Sequence, residues 1–359
     1  MNLLVPTSSG LYCELGDFYV DPWRPVPRAV VTHAHSDHAR WGCGHYLAAD
    51  EGKGIFRLRL GSEASIDFLR FGESRTVGGV QVSLHPAGHM TGSAQVRIEH
   101  RGEVWVVTGD YKLQTDSTCA GFEPVRCNTL ITESTFGLPI FRWEPAAVVF
   151  EQINRWWREN QVAGQTSVLY GYTVGKAQRL ISGVDASIGP IVGHGAIINA
   201  CRAYAQSGVQ LPPVRAVSEF EGAMDWSQAL VIAPPSAHGT PWLRRFGKLS
   251  TAMASGWMRI RGFRRRRAID RGFVISDHVD WPDLLSAIQM SQAESVGVTH
   301  GYMSQVVRHL QSQGLSAHAV ATQFRGDLEI EPSEEVDTEP MTKSPDAASE
   351  SAAARGADS

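Results

Sequence analysis

The chain has 359 residues, of which 43% are hydrophobic and 19% charged, enough to bury a sizeable core in about two lobes. A net charge of −4 speaks against a broad basic field for nucleic acid, and no apolar run is long enough to cross a membrane. Five scattered cysteines (Cys13, Cys43, Cys119, Cys127, Cys201) exclude a disulfide scaffold and lack metal-type spacing, which predicts free thiols in a reducing, cytoplasmic setting.

Met1–Pro6 lacks the basic and apolar regions of a signal peptide. Charge is unevenly spread. The segment from Pro332 to Ser359 carries seven acids against Lys343 and Arg355, has almost no large apolar residues, and is expected to be disordered. Without it the remaining chain carries about +1.

In chain order, Leu11–Asp21 reads as a strand pair around a Gly16-Asp17 turn, and Arg28–Thr32 as a β-branched strand. That strand runs into His33-Ala34-His35-Ser36-Asp37-His38, three imidazoles and a carboxylate within six residues. Imidazole nitrogen and carboxylate oxygen are the usual protein ligands of zinc and its first-row neighbours. A lone histidine is usually a surface or hydrogen-bonded core residue. Three of the 13 histidines at this spacing, with an aspartate between, point instead to metal. Near-neighbours in sequence cannot all reach one ion, so the spacing points to two ions side by side.

Val80–His85 is the next strand, and it leads into the loop Gly88-His89-Met90-Thr91-Gly92, where glycine lets backbone and imidazole approach an ion closely. Ala94–Glu99 and Val104–Thr108 flank Arg101-Gly102, a hairpin signal. The second of these strands ends at Gly109-Asp110, where a carboxylate can bridge two cations. Thr129–Thr132 is a further strand, ending at Glu133-Ser134-Thr135. Candidate ligands thus recur in turns just past strand ends, the way rigid elements present a site on loops.

After Pro139 the pattern changes. Pro145–Asn160 reads as an amphipathic helix with Val148, Val149, Ile153, Trp156 and Trp157 on its apolar face. Strand Ser167–Tyr170, helix Lys176–Ser182, strand Pro190–Val192, helix Ile197–Ser207 and strand Ala229–Ile232 follow, the alternation of a parallel α/β unit. About Leu138 to Arg267 is expected to be a second lobe inserted into the first. The chain returns through strand Gly272–Ser276, helix Trp281–Met290, strand Ser295–Thr299 and helix Ser304–Gln313, bringing His278 and His300 with it; Asp21 stands behind the cluster.

These motifs resemble a known family. His33–His38, Gly88-His89 and Gly109-Asp110 resemble the metallo-β-lactamase fold signature. Thr132–Gly137 resembles the first motif of the β-CASP nucleases, Ser276–Asp280 their second, Thr299-His300-Gly301 their third, and Ser255-Gly256 a further β-CASP feature. The match spans about residues 10–330 and is most similar to the short bacterial ligase-associated DNA exonucleases. The resemblance implies an α/β fold: an αββα sandwich from residues 1–137 and 268–331, an inserted β-CASP α/β lobe over 138–267, and an acidic tail over 332–359. It implies that His33, His35 and His89 hold one metal, that Asp37, His38 and His300 hold the other, and that Asp110 bridges them. Asp21 would orient the histidine turn.

The chemistry agrees. Two ions roughly 3.5–4 Å apart can hold a hydroxide and neutralise charge on a phosphodiester. Zinc fits because it lowers the pKa of bound water to about 7, and manganese is accepted by the same donors. The leaving oxygen still needs a proton. His278 is the candidate general acid, with Glu133 fixing its ring and favouring its charged form.

The second informative feature is basic. Arg259, Arg261, Arg264, Arg265, Arg266, Arg267 and Arg271 fall within thirteen residues, most without acidic neighbours. Such a run is usually a solvated face, but guanidinium forks match phosphate oxygens. Gly301 and Ser304, near a helix start after His300, could bind a terminal phosphate. Together with the resemblance this gives a 5′-directed single-strand DNA exonuclease in DNA repair, functionally associated with a DNA ligase. Histidine at position 300 resembles the RNA-processing β-CASP branch, so an RNA nuclease is the alternative. A lactonase- or thioesterase-like hydrolase would need the histidine cluster but neither Glu133, His278 nor a basic lobe. A non-catalytic nucleic-acid scaffold would predict broken ligands, and none is broken.

Overall fold

Strands rich in Val, Ile, Leu and Tyr organise the described residues into three sheets. The computed structural model describes residues 2–221, 224–262 and 269–322; the expected tail over 332–359 lies outside them. The first sheet takes its strands in chain order: β1 (Val5–Pro6), β2 (Leu11–Cys13), β3 (Phe18–Val20), β4 (Arg28–Val30), β5 (His45–Ala49) and β6 (Ile66–Leu69). β1, β2 and β3 pair antiparallel; from β3 onward the pairs are parallel. Helix α1 (Lys53–Leu60) joins β5 to β6. The second sheet starts as an antiparallel meander of β7 (Ser74–Val77), β8 (Val80–Pro86), β9 (Ala94–His100) and β10 (Glu103–Val107), to which β11 (Thr129–Glu133) adds in parallel.

Residues 166–273 build the third sheet from β12 (Thr166–Tyr170), β13 (Ile191–Gly193), β14 (Val214–Arg215), β15 (Leu230–Ala233), β16 (Leu249–Ala254) and β17 (Arg271–Phe273). Their spatial order is β14-β13-β15-β12-β16-β17, and every pairing is parallel. Helices α2 (Ala146–Val162), α3 (Lys176–Gly183) and α4 (Gly195–Gln206) accompany it. The chain then returns through α5 (Trp281–Ser291), β18 (Ser295–Thr299), α6 (Met303–Ser312) and β19 (Ser316–Ala319), with β18 and β19 extending the second sheet beyond β11.

Side-chain alternation explains the layers, since neighbours along a strand point to opposite faces. Val30 and Leu47 of the first sheet meet Val82, Val96, Ile98 and Ile131 of the second in a shared core. Ala29, Val31 and Tyr46 point the other way, onto Ile55, Phe56 and Leu60 of α1. On the far side, Val106, Leu130 and Val298 pack against Leu284 and Ile288 of α5 and Val306 and Leu310 of α6. The result is a helix–sheet–sheet–helix sandwich.

The third sheet is buried on both faces, as parallel sheets are. Leu169 and Ile232 pack under Ile153 and Trp157 of α2 and Leu180 of α3. Their strand neighbours Val168 and Val231 meet Phe136, Phe141 and Trp257.

Three details differ from the sequence reading. Val148 is 46% exposed, because it stands half a turn round α2 from Trp157, whereas Val149, Ile153, Trp156 and Trp157 are buried. Glu133 is the last residue of β11 and does not lie beyond it. β17 pairs with β16, so the third sheet reaches past residue 267, where the sequence placed the end of the lobe.

Candidate metal centre

Six strand ends converge. β4 leads to His33, β8 to His89, β10 to Gly109-Asp110, β11 ends on Glu133, β17 leads to His278 and β18 to His300. The β10 end closes tightly: Gly109 has φ +56°, and a Cβ there would sit 2.6 Å from the Thr32 hydroxyl. Only glycine lets Asp110 approach the histidine turn so closely. His300 itself is left-handed, at φ +54°. Such a conformation persists where surrounding structure holds it, and here the Ser134 hydroxyl donates to the His300 and Thr299 carbonyls.

The larger of two compact groups among the described residues is His33, His35, His89 and Asp110, whose ligand atoms all lie within 4.8 Å of one another. His35 Nδ1 is 3.0 Å from His33 Nε2 and 3.3 Å from His89 Nε2. Asp110 Oδ2 is 3.5 Å from His33 Nε2 and 3.9 Å from His89 Nε2. Each ring has a partner for its other nitrogen. His35 Nε2 donates to the Val174 carbonyl at 3.0 Å, and His89 Nδ1 to the Asp277 carbonyl at 2.8 Å. His33 Nδ1 faces the Thr32 hydroxyl at 3.1 Å, and that hydroxyl donates to Asp21. With their N–H groups turned outward, the rings aim three lone pairs at one another. A divalent cation among them would accept all three. The donor set therefore fits a divalent metal, and outward partners of this kind fix tautomer and orientation.

The electrostatics point the same way. Burial pushes His33 and His89 well below the usual histidine value, helped by neighbouring imidazoles, so both are neutral and able to coordinate. His38 behaves oppositely. Burial pulls it down, but Asp110, Asp37 and Asp21 outweigh burial and hold it well above the usual value. Burial would also raise Asp110, yet His38 and His278 keep it well below the carboxylate range. Carboxylates that retain a proton on a buried imidazole mark a place short of positive charge.

The second half of the constellation is looser. His38 Nδ1 donates to Asp21 Oδ2 at 2.7 Å, and Asp21 Oδ1 accepts from Thr32 N at 2.8 Å, which locks the histidine turn. His38 Nε2 lies 3.5 Å from Asp110 Oδ2 and 3.7 Å from Asp37 Oδ2. The Asp37 side chain is 47% exposed, and the His38 and His300 ring centroids are 5.8 Å apart. Asp37, His38 and His300 are thus brought to one side of Asp110 without closing into a compact group.

Asp110, Glu133 and His278 form the other compact group. His278 Nδ1 is 2.9 Å and 3.0 Å from the two Glu133 oxygens, and Glu133 Oε1 also accepts from Tyr111 N at 2.9 Å. The buried carboxylate therefore fixes the ring with Nε2 turned away from it.

The candidate phosphate contacts stand apart from this geometry. Arg259 and Arg261 are exposed, and Arg259 Nε donates to the Ile140 carbonyl at 3.3 Å. Arg264, Arg265, Arg266 and Arg267 lie outside the described residues. Arg271 faces Glu159 at 3.7 Å and stacks over Phe273. Ser304 is exposed in the first turn of α6. Sequence reasoning missed Val174, Lys112, Lys176 and Arg179 altogether. Val174 acts through its carbonyl, which no sequence reports, and the three cations resemble ordinary solvated charges until their burial is seen.

No family profile matches this chain. It is similar to a protein named "Probable DNA ligase" from Opitutus terrae, 32% identical over 329 residues. That match covers 91% of this chain but 32% of the Opitutus protein, so the chain spans about a third of that relative's length. Shorter matches reach "Cleavage and polyadenylation specificity factor subunit 3" of Dictyostelium discoideum, 35% identical over 77 residues, and "Endoribonuclease YSH1" of Gibberella zeae, 32% identical over 82. These cover 21% and 22% of this chain and 10% of each relative. A crystal structure of a protein of unknown function from Enterococcus faecalis shares the fold, with a TM-score of 0.55, 13% identity, and 84% of this chain and 80% of that one covered.

Proposed function

We propose that this chain is a metal-dependent phosphodiesterase of the β-CASP, metallo-β-lactamase type acting on nucleic acid, and specifically a 5′-directed single-strand DNA exonuclease. One observation carries the reading: a buried imidazole–aspartate cluster stands beside a separate His278–Glu133 pair that shares Asp110 with it. A small-molecule hydrolase on such a scaffold needs the cluster but not the pair. The similarity over most of this chain to part of a protein named as a DNA ligase supports DNA, and a role beside end joining.

His33, His35 and His89 would hold one divalent ion and Asp37, His38 and His300 a second, with Asp110 between them; zinc suits the imidazole-rich donors and manganese is the alternative. Such ions supply charge neutralisation at the phosphate and a nucleophile at neutral pH. The chain's own groups do the rest. Asp21 orients His38 and, through Thr32, His33. Glu133 holds the His278 ring through Nδ1–H, which leaves Nε2 as the atom that passes a proton to the departing oxygen. The lobe over 138–267 would form the wall against which a single strand lies, with Arg259, Arg261 and Arg264–Arg267 on its backbone and Ser304 at the first turn of α6 on a terminal phosphate.

RNA is the second reading, favoured by the similarity to a protein named as an endoribonuclease and by histidine at position 300. End-labelled single-stranded DNA and RNA of matched sequence, with zinc or manganese and a His33→Ala control, decide between them. The proposal predicts a ladder shortening from the 5′ end of DNA. Cleavage of neither polymer, with turnover of a simple lactone or thioester, would overturn it.

A further inference from the structure

Five charged side chains lie in the interior behind the metal centre: Lys112, Asp116, Lys176, Arg179 and Asp277. Lys112, Lys176 and Arg179 are 2–3% exposed. Asp277 Oδ2 is 3.0 Å from Lys176 Nζ, and Asp277 Oδ1 is 2.9 Å from Arg179 Nη1. Asp116 Oδ2 is 2.6 Å from Lys112 Nζ and 3.5 Å from Arg179 Nε. Removing five charges from water is costly, and the mutual attraction of such groups does little more than offset it. A stability role is therefore a weak explanation for the cage, and what it holds is a better one.

It holds two turns. Lys176 Nζ donates to the Ile275 carbonyl at 3.1 Å and Arg179 Nη1 to the Ser276 carbonyl. The next carbonyl along, that of Asp277, accepts from His89, and the next residue is His278. At the other end of the cage, Lys112 Nζ donates to the Gly88 carbonyl and, at 3.4 Å, to that of His89. The cage thus grips the turn carrying His89 and the turn carrying His278, and sets the distance between them. The segment leading into α3 adds a third grip, because the Val174 carbonyl, two residues before Lys176, accepts from His35.

We infer that the Lys112–Asp116–Arg179–Asp277–Lys176 cage is a positioning device, by which a helix of the third sheet's layer sets both the affinity of the metal centre and the placement of the proton donor. None of the five touches the reacting atoms. The inference rests on the metal reading given above. Its physical content is that the lone pair of His89 points correctly only while the Asp277 carbonyl stays in place. Asp277 in turn is held by charges that reach it from α3. Partners one bond removed from a ligand typically tune metal affinity by about 10–100-fold.

Lys176→Met tests this, since it keeps the unbranched apolar stem of the side chain and removes the charged end. Zinc affinity is read by equilibrium competition with a chromogenic chelator, which needs no substrate, alongside kcat and KM on labelled DNA. Zinc should bind about 10–100-fold more weakly, kcat should fall with KM little changed, and Lys176→Arg should recover most of both. Leu230→Ala, a truncation in the core of the third sheet, should lower the melting temperature and leave zinc affinity alone. An unchanged zinc affinity in Lys176→Met, or equal weakening in Leu230→Ala, overturns the inference and leaves the proposed function standing. Wild-type protein that binds no zinc or manganese overturns both. Should Lys176→Met not fold, Asp277→Asn carries the same expectation. Failure of both to fold would make the cage a requirement of the fold and overturn the positioning role.

Discussion

The two sides of Asp110 are built to different standards. On one, His33, His35 and His89 converge with each outward nitrogen facing an oxygen of Thr32, Val174 or Asp277. On the other, His38 is equally well held by Asp21, but Asp37 is half in solvent and the His300 ring stands off at 5.8 Å. The first side is organised before any ion arrives, so an ion entering it gives up little side-chain freedom. The second must still gather its ligands, and gathering costs rotamer entropy. On the proposed two-ion reading the difference implies ordered loading: the imidazole-rich side would fill first and tightly, the aspartate-rich side later and more weakly.

The largest effect that can break this comparison comes from His33→Ala, which removes a donor from the organised side. Metal content by elemental analysis should collapse, because Asp110 then loses the imidazole beside which it would share an ion, and activity should fall to background. Retention of one full equivalent would mean that the two sides are independent. His278→Ala comes next. Turnover should drop by about 10²–10⁴-fold, the usual worth of a general acid, with metal content unchanged. Loss of metal in that variant would make His278 a ligand. Asp37→Asn sharpens the contrast directly: in a calorimetric metal titration the weaker step should move by about tenfold or more while the tighter step stays put. A shift in the tighter step would reverse the order of loading.

Smaller effects lie outside the centre. Arg259→Ala together with Arg261→Ala should weaken DNA binding a few-fold and reduce the slope of log affinity against log salt by about one for each phosphate that is no longer neutralised. An unchanged slope would leave these arginines as solvated surface. Asp116→Asn probes the support behind the organised side. Burial pushes the Asp116 carboxyl up, but Lys112 and Arg179 outweigh it and leave it below the ordinary range. A carboxylate lowered on folding adds stability that is present above its unfolded value and is lost as pH falls through the folded one. The gap in unfolding free energy between wild type and Asp116→Asn should therefore be full at pH 7 and shrink below about pH 4, as denaturant titrations would show. A gap that widened in acid would reverse the assigned sign.

Much of this molecule could be read from the chain because its elements announce themselves locally. The Arg101-Gly102 hairpin, the alternation of Val80, Val82 and Leu84, and the stripe Val149, Ile153, Trp156 and Trp157 each carry their own period. The clustering of His33, His35, His89 and Asp110 was legible because each candidate donor stands just past a strand end. Short strands such as β5 and β6 were missed, since their pairing depends on neighbours far away. The cage was missed for a different reason. Lys176 and Arg179 sit three apart on a helix, the ordinary spacing of a wet face, and only the tertiary fold shows that this face is turned inward. The second-sheet strands flanking β11 were assigned separately, with nothing in sequence to say that Glu133 and Thr299 would lie side by side.

That last pairing has a consequence for how the protein comes into being. Ser134 reaches across to the backbone of Thr299 and His300, residues separated from it by the whole third sheet. During synthesis the N-terminal strands emerge long before their partner does, and contacts so distant in sequence form late. The chain therefore carries His33, His35 and His89 from early in synthesis, yet His300 takes its place beside them only when β18 docks against β11.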